Sequence, residues 1–302
     1  MARFLELLLN GITLGSVYAL VALGYTMVYG VLRLINFAHG DLFALGAYLA
    51  LTFFTSSALG GHLTSAWGMV AVLLMVMVTV GVAGIVVERA AYRPLRRSTR
   101  LAPVVSALGM SIFIENVIML VYGPRYQAFP SGILPEVNWS FFGLTRVSLV
   151  QLLIIALSVL MMVGLYLFVQ RTSIGTAIRA VALDHDTARL MGIDVDRIIS
   201  IVFLIGPALG GAAGLMVGYF YGQIGFQMGW GYGLKAFTAA IIGGIGNIPG
   251  AMIGGLILGL LEALGAGYIS SSWQGAITFL VLIVILITRP TGLLGERVAN
   301  KV

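Results

Sequence analysis

The most constraining feature of this 302-residue sequence is a series of long apolar runs separated by short polar links. A helix needs about 20 apolar residues to cross the hydrocarbon core of a bilayer. Only 9% of the residues are charged and 60% are hydrophobic, whereas a soluble domain carries about 25% charged residues. The sequence therefore predicts an all-α, polytopic integral membrane protein of about eight to nine transmembrane helices, forming a single transmembrane domain over residues 1–302.

Eight apolar segments reach or approach the length of a membrane span. They cover residues 5–30, 38–57, 67–87, 101–122, 147–169, 198–221, 236–268 and 274–287. The segment 236–268 is too long for one span and contains the turn sequence GGIGNIPG. We therefore expect it to return to the side it left, either as a re-entrant pair or as two short spans.

Arginine residues mark the links that we expect on the cytoplasmic side. Residues 88–100, residues 171–197 and the C-terminal tail carry most of them, and positively charged links usually face the cytoplasm. The link 123–146 is then extracytoplasmic, and three spans before residue 88 place the N-terminus outside. This distribution explains the net charge of +6 without nucleic-acid binding. We expect the N-terminal run to be a retained first span rather than a removed signal peptide.

Two apolar runs are interrupted by turn-forming or polar residues, at 36–41 and at 243–250. Irregular backbone at membrane depth is tolerated only where it is buried in protein or lines a watery cavity. A pair of such breaks, one in each half of the chain, indicates a translocation path. The residues that we expect to border this path are Asn36, His39, Asp41, Glu115 and Asn247. The alternative is that the first break is an interfacial turn, with Arg33 extending to the interface and Asp41 capping the next helix.

Further polar and small residues inside the spans favour contacts between helices. Lys235 and Glu262 are expected to pair with each other or to lie at an interface. Glycine recurs at every fourth position of the sixth segment, at Gly206, Gly210, Gly214, Gly218 and Gly222. Small residues in such a stripe let another helix approach closely. We expect close helix packing there, either static or at a moving interface.

The most polar stretch, residues 171–197, lies between two spans and is longer than a simple connection needs. Thr172 or Ser173 is expected to cap a short amphipathic helix, whose apolar face is Ile174, Ala177, Ile178 and Val181. Asp184 is expected to cap a second turn, which ends at Gly192. A structured cytoplasmic loop of this kind indicates contact with a cytoplasmic partner.

The sequence lacks the motifs of nucleotide hydrolysis and of other catalysis. There is no GxxxxGK[ST] phosphate loop, no HExxH, no GxSxG and no cysteine. We therefore expect no catalytic residues, no metal site and no cofactor bound by this chain.

Several stretches together resemble one family, the branched-chain amino acid ABC transporter permeases of the LivH type. They are YALVALGYTMVYGVLRLINFAHGD, the polar loop through LMGIDVDRIISIVFLIGPALGGAAG, GLKAFTAAIIGGIGNIPGAMIGGLILGLLE and the ending RPTGLLG. These stretches cover well over half of the chain in the family's order. Related permeases for other amino acids, urea or short amides share them, so the substrate stays open.

The resemblance implies a function, a location and a set of partners. It implies a permease of the bacterial or archaeal cytoplasmic (inner) membrane, working by ATP-driven alternating access. The implied partners are a LivM-type second permease, two ATPase subunits that hold ATP and Mg²⁺, and an extracytoplasmic binding protein. Residues 171–197 resemble the segment that docks on the ATPase, and the matching positions are Gly175, Arg179, Ala180, Asp184, Ala188 and Gly192.

The main alternative is a stand-alone secondary transporter or channel for a small polar solute, built on the same two breaks. The structured cytoplasmic loop distinguishes the two functions, because a secondary carrier has no ATPase to dock. An intramembrane enzyme would need a nucleophile–base or metal pattern, which the sequence does not show.

Overall fold

The computed structural model describes residues 2–56, 66–96, 98–99, 101–130, 138–141 and 145–295. The helices are α1 (Ala2–Leu32), α2 (His39–Thr55), α3 (Ala66–Val87), α4 (Leu101–Tyr122), α5 (Leu149–Arg171), α6 (Ser173–Leu183), α7 (His185–Leu190), α8 (Val195–Tyr221), α9 (Met228–Gly243), α10 (Ile248–Tyr268) and α11 (Gln274–Thr288). A π-helical turn, Glu88–Tyr92, and a 3-10 turn, Arg93–Leu95, extend α3.

Seven helices in the described part of the chain are long and apolar enough to cross a membrane. They are α1, α3 with its extension, α4, α5, α8, α10, and α11 with the 3-10 turn Ser271–Trp273 before it. The helices α2 and α9 have 17 and 16 residues. This confirms the prediction of an all-α, polytopic membrane protein, and the seven membrane-length helices roughly match the expected eight to nine.

The segment predicted at 236–268 is a pair of antiparallel helices, α9 and α10. Gly243 packs against Gly250, and Gly254 packs back against Ala239. The turn between the helices uses Gly244 at φ 107° and Gly246 at φ 95°, which side chains strongly disfavour. The predicted start at 236 was wrong: α9 begins at Met228, because its first turn is too rich in glycine to read as an apolar run.

The helices α1 and α8 form the centre of the molecule, and most of their residues are buried. In contrast, α4, α5 and α11 expose many apolar side chains, including Leu120, Leu160 and Ile287. Apolar side chains on the outside of a membrane domain are in a favourable environment, because lipid tails are as apolar as leucine. The chain is therefore a buried helical core surrounded by helices with lipid-compatible faces.

The glycine stripe of α8 contacts several different elements. Gly206 meets the backbone of Gly24 on α1, Gly210 meets the ring of His39, Gly214 meets the carbonyl of Phe43 on α2, and Gly218 meets the ring of Phe129. A second glycine seam joins α1 to α10, where Gly15 lies against Leu256 and Gly259. Both seams bring helix backbones closer together than larger residues would allow.

The helix α2 begins well inside the molecule rather than at the level where α1 ends. His39 at its first position contacts the carbonyl oxygen of Val21, which lies 11 residues before Leu32 at the end of α1. At 1.5 Å per residue this corresponds to a depth of about 16 Å. Residues 33–38 therefore lead the chain back toward the middle of the membrane domain.

Short strands and a terminal segment close the two ends of the bundle. Strands β1 (Gln127–Ala128) and β4 (Gln223–Ile224) pair, as do β2 (Asn138–Phe141) and β3 (Thr145–Ser148). At the other end, the segment after α11 folds back on α9. The backbone N–H groups of Leu293 and Leu294 donate to the carbonyl oxygens of Ile242 and Gly243, at 2.8 and 2.9 Å.

We predict that Gly214→Leu destabilises the fold. A Cβ atom at this position would overlap the carbonyl oxygen of Phe43, and overpacking of a tight contact costs about 1–3 kcal/mol or more. Thermal unfolding of the purified protein in mild detergent measures the effect. Gly164→Leu on α5 is the matched control, because no atom lies within 4 Å of the added Cβ there. Equal unfolding temperatures for the two variants would contradict the prediction.

Candidate functional site

Three of the predicted path residues lie together at the start of α2. Asn36, His39 and Asp41 are all buried. The Tyr92 hydroxyl donates a hydrogen bond to Asn36 Oδ1 at 3.0 Å, and the Ser111 hydroxyl donates one to Asp41. The first break is therefore bonded to the π-helical extension of α3 and to α4.

The His39 ring occupies the space between α1 and α8. Its Nε2 atom lies 3.1 Å from the carbonyl oxygen of Val21, so Nε2–H donates to that carbonyl. Gly24 on α1 and Gly210 on α8 leave room for the ring, and Tyr25 meets it edge-on with ring centroids 4.7 Å apart. The two glycines thus create a slot for an imidazole at membrane depth.

Two buried polar atoms of this group have no hydrogen-bond partner among the described residues. They are Asn36 Nδ2 and His39 Nδ1, and buried polar atoms are normally paired. A cavity of about 30 Å³ lies between the starts of α2 and α9; Asp41 and Gly229 line it, whereas Asn36 and His39 do not. Such a volume holds about one or two water molecules. The break is closed to larger solutes in this conformation.

The other predicted path residues are Glu115, which lies near Asp41, and Asn247. Glu115 is half-buried on α4, one helical turn beyond Ser111. Asn247 lies in the α9–α10 turn, where its Oδ1 caps α10 by accepting from Gly250 N at 2.9 Å. Its Nδ2 donates to the carbonyl of Leu294. Because Gly246 of the same turn faces Gly30 near the end of α1, Asn247 does not join the group around His39.

Arg33 points away from the first break, as the interfacial-turn alternative expected. The residue is exposed, has the left-handed φ of 56°, and donates to the carbonyl oxygen of Ala182 at 3.4 Å. Asp41 lies in the first turn of α2, but the helix has no side-chain cap at Ala38. The interfacial-turn alternative therefore does not describe the buried part of this break.

A second polar group lies between α1, α9, α10 and α11. Lys235 and Glu262 form an ion pair at 2.6 Å. Glu262 also accepts hydrogen bonds from the Tyr18 hydroxyl at 2.5 Å and from the Thr278 hydroxyl at 3.1 Å. The pairing of Lys235 with Glu262 was one of the expected alternatives, whereas Tyr18 and Thr278 were not predicted as partners of Glu262.

The loop 171–197 forms the two short helices that its capping residues predict. The Thr172 hydroxyl accepts from Gly175 N at 3.0 Å and caps α6. Asp184 caps α7, because its Oδ1 accepts from Asp186 N and Thr187 N at 2.8 and 3.0 Å. These N–H donors lower the pKa of Asp184 below its ordinary value. Gly192 follows α7 in the left-handed region at φ 81°.

The loop is fixed to the membrane domain by contacts at several points. Gly175 lies directly on the end of α5, where a Cβ would overlap the carbonyl oxygens of Phe168 and Val169. Arg179 folds back and donates a hydrogen bond to the Val169 carbonyl oxygen. His185 Nε2 lies 2.8 Å from the carbonyl oxygen of Val31 at the end of α1.

Three large apolar side chains project from this loop and were not among the predicted residues. Leu183 is 84% exposed, Leu190 88% and Met191 78%. We refer to these three residues as the apolar tip. Ala188, in contrast, is buried against the chain itself, and Ala180 is half-buried. The expected apolar face is only partly correct, because Ile178 and Val181 are buried but Ile174 is exposed.

An ion cluster joins the end of α3 to the start of α8. Arg96 pairs with buried Glu88 and, at 2.6 Å, with Asp196. The Ser200 hydroxyl donates to Glu88 at 3.1 Å. A buried carboxylate with this many partners holds two helix ends in a fixed relation.

The sequence of this chain is similar to those of known transport proteins. Residues 7–286 match the family model described as the permease component of branched-chain amino acid transport systems. The chain is 43% identical to the high-affinity branched-chain amino acid transport system permease protein LivH of Escherichia coli K12, over 99% of this chain and 98% of that protein. It is equally similar, over the same shares, to the permease protein BraD of Pseudomonas aeruginosa. A probable LivH of Methanocaldococcus jannaschii is 27% identical over 96% of this chain and 92% of that protein.

The family model covers all the membrane-length helices in the described part of the chain, apart from the outermost residues of α1 and α11. The first two relatives align over nearly their whole length with the breaks, the glycine seams and the loop between α5 and α8. The chain therefore belongs to the family of permease components of branched-chain amino acid transport systems.

Proposed function

We propose that this chain is the membrane-spanning permease subunit of an ATP-driven ABC importer for branched-chain amino acids. It forms part of the translocation path and transmits force from cytoplasmic ATPases. The observation that carries the proposal is the apolar tip on a rigid loop that we assign to the cytoplasm. Such side chains in water are unfavourable, and an apolar patch on a polar element marks a contact with another protein.

The contacts of the loop define a route from the apolar tip to the first break. Arg33 and Val31, at the end of α1, hold Ala182 and His185 on either side of Leu183. The chain then passes through residues 33–38 to His39 in its slot. Because α6 and α7 are both capped, displacement of the tip moves the loop as a unit and pulls on the break.

The family resemblance supports a set of partners for this chain. Two ATPase subunits hold ATP and Mg²⁺, and hydrolysis occurs on them rather than on this chain. A LivM-type second permease completes the path, and an extracytoplasmic binding protein delivers the substrate.

The coupling residues of the loop have different roles. Gly175, Ala188 and Gly192 shape the loop, Asp184 caps α7, and Arg179 ties α6 to α5. The apolar tip makes the contact itself.

The names of the relatives support the choice of substrate. LivH and BraD are described as parts of high-affinity systems for branched-chain amino acids, and nearly full-length identity of 43% suggests the same chemical class here. Leucine, isoleucine and valine are therefore the substrates to test first.

Reconstitution in proteoliposomes tests the proposed function. The complex of both permeases and the ATPases, with binding protein outside and ATP inside, is expected to accumulate labelled leucine only when ATP and binding protein are both present. Accumulation by this chain alone, driven by an ion gradient without ATP, would instead establish the stand-alone secondary transporter.

We predict that Leu190→Glu detaches the ATPases while the membrane domain stays folded. The side chain is almost fully exposed, so the change costs little within the chain but places a charge in an apolar contact. Co-purification of the ATPases in mild detergent should fall about tenfold or more, as loss of a central interface residue does. Leu190→Met keeps the apolar contact and is the control. Normal co-purification of both variants would exclude the tip as the docking site.

We predict that Asn36→Ala and Asn247→Ala have different consequences. Asn36 joins the break to Tyr92, so its loss should reduce uptake per assembled complex about tenfold, in line with a lost buried hydrogen bond. Asn247 caps α10, so its loss should cost about 1 kcal/mol of stability. Uptake and thermal unfolding, measured on the same preparations, separate the two. The reverse pattern would assign the path to the α9–α10 turn.

A further inference from the structure

We propose that the cavity beside Lys235 and Glu262 is a binding site for the amino acid on its way through this subunit. Lys235 binds the substrate carboxylate, and the apolar wall holds the aliphatic side chain. This inference rests on the proposed function and adds a site within the path that neither break contains.

The cavity has the size and the lining that such a ligand requires. Its volume is about 400 Å³, within the range of roughly 300–1,000 Å³ for small-molecule sites. The cavity beside Asp41 at the start of α2 has a volume of only about 30 Å³. Apolar side chains of Leu14, Val217, Ile224 and Met228 line one part of the larger cavity. The polar residues of its lining include Tyr221, Gln223, Tyr232, Lys235, Glu262 and Gln274.

The two members of the ion pair differ in their access to the cavity. Glu262 is 1% exposed and is already bonded to Tyr18 and Thr278 as well as to Lys235. The side chain of Lys235 is 25% exposed. Its ammonium group has three donors, and among the described residues it has two partners, Glu262 and the Tyr18 hydroxyl at 3.3 Å. One N–H therefore remains for a carboxylate in the cavity.

The acceptors for the substrate ammonium group lie on the same wall. The hydroxyls of Tyr221 and Tyr232 lie near each other, and a tyrosine oxygen can accept a hydrogen bond. Gln274 offers a further amide oxygen. Buried Glu262 supplies negative charge behind Lys235, so the site as a whole is close to neutral and suits a zwitterion rather than a free anion.

A purely structural ion pair explains this arrangement poorly. Charges at membrane depth are expensive, and a buried ion pair is often no more stable than apolar residues of the same volume. Tyr18 lies 14 residues before the end of α1, about 21 Å along the helix axis. The pair is thus deep in the bundle. The mouth of the cavity is lined by Tyr126 and Gln223 and lies beside strands β1 and β4, at the end of the bundle that we predict to be extracytoplasmic.

Thiol protection tests occupancy of the cavity without altering the ion pair. The chain contains no cysteine, so Gln223→Cys adds a single thiol to this subunit in the assembled complex, with the partner subunits made cysteine-free. Saturating leucine should slow its reaction with a maleimide, whereas leucinamide, which lacks the carboxylate, should not. An unchanged rate with leucine would overturn the proposal.

Substitution of the ion pair separates binding from structure. Lys235→Met should weaken protection by leucine about tenfold or more, the factor expected for one charge-assisted hydrogen bond, and Lys235→Arg should retain part of it. The double variant Lys235→Met, Glu262→Gln removes both charges and leaves no unpaired one. If the pair only holds α9 to α10, the double variant should protect and transport like the wild type, and that result would overturn the proposal.

The same preparations distinguish this failure from failure of the proposed function. If the wild-type complex and the double variant import leucine equally well, only the proposed cavity site is contradicted. If the wild-type complex imports none of leucine, isoleucine and valine in the presence of ATP and binding protein, the proposed function itself is contradicted.

Discussion

Close approach of helix backbones is the interaction on which the rest of the structure depends. In lipid, helices gain little by hiding apolar surface from one another, so packing distance and polar bonds decide which helices associate. Glycines on α8 admit α1, α2 and the His39 ring, and glycines on α1 and α10 admit each other. Because the helices pack closely along these glycine seams, α2 can begin deep in the bundle. The polar side chains of the first break are then buried among the described residues.

The break illustrates how this packing makes polar groups tolerable at depth. Asn36, His39 and Asp41 each find a partner on a different helix, through Tyr92, Val21 and Ser111. Among the described residues, the same packing leaves one polar atom of Asn36 and one of His39 without a partner, and the cavity at the start of α2 is very small. A site held this tightly changes shape only when a helix moves, which is consistent with a proposed role in a transport cycle driven from the cytoplasmic loop.

Much of the fold could be predicted from local sequence signals, whereas the polar sites depended on tertiary contacts. Apolar runs located the membrane-length helices, and Thr172, Asp184 and Gly192 marked the ends of α6 and α7, because caps act within three or four residues. The partners of Glu262 come from α1, α9 and α11, and no periodicity in one helix indicates which distant helix it will face. Exposure of Leu190 could not be predicted either, since its neighbour Ala188 turns inward.

The segment after α11 has a consequence for how the protein is made. The last carbonyl groups of α9, on Ile242 and Gly243, have their hydrogen bonds from Leu293 and Leu294, about fifty residues later in the chain. During synthesis these carbonyls therefore stay open while α10 and α11 are inserted. The hydrogen bonds at the end of α9 can form only when residues 293 and 294 have left the ribosome, so this part of the membrane domain is completed after α11 has entered the bilayer.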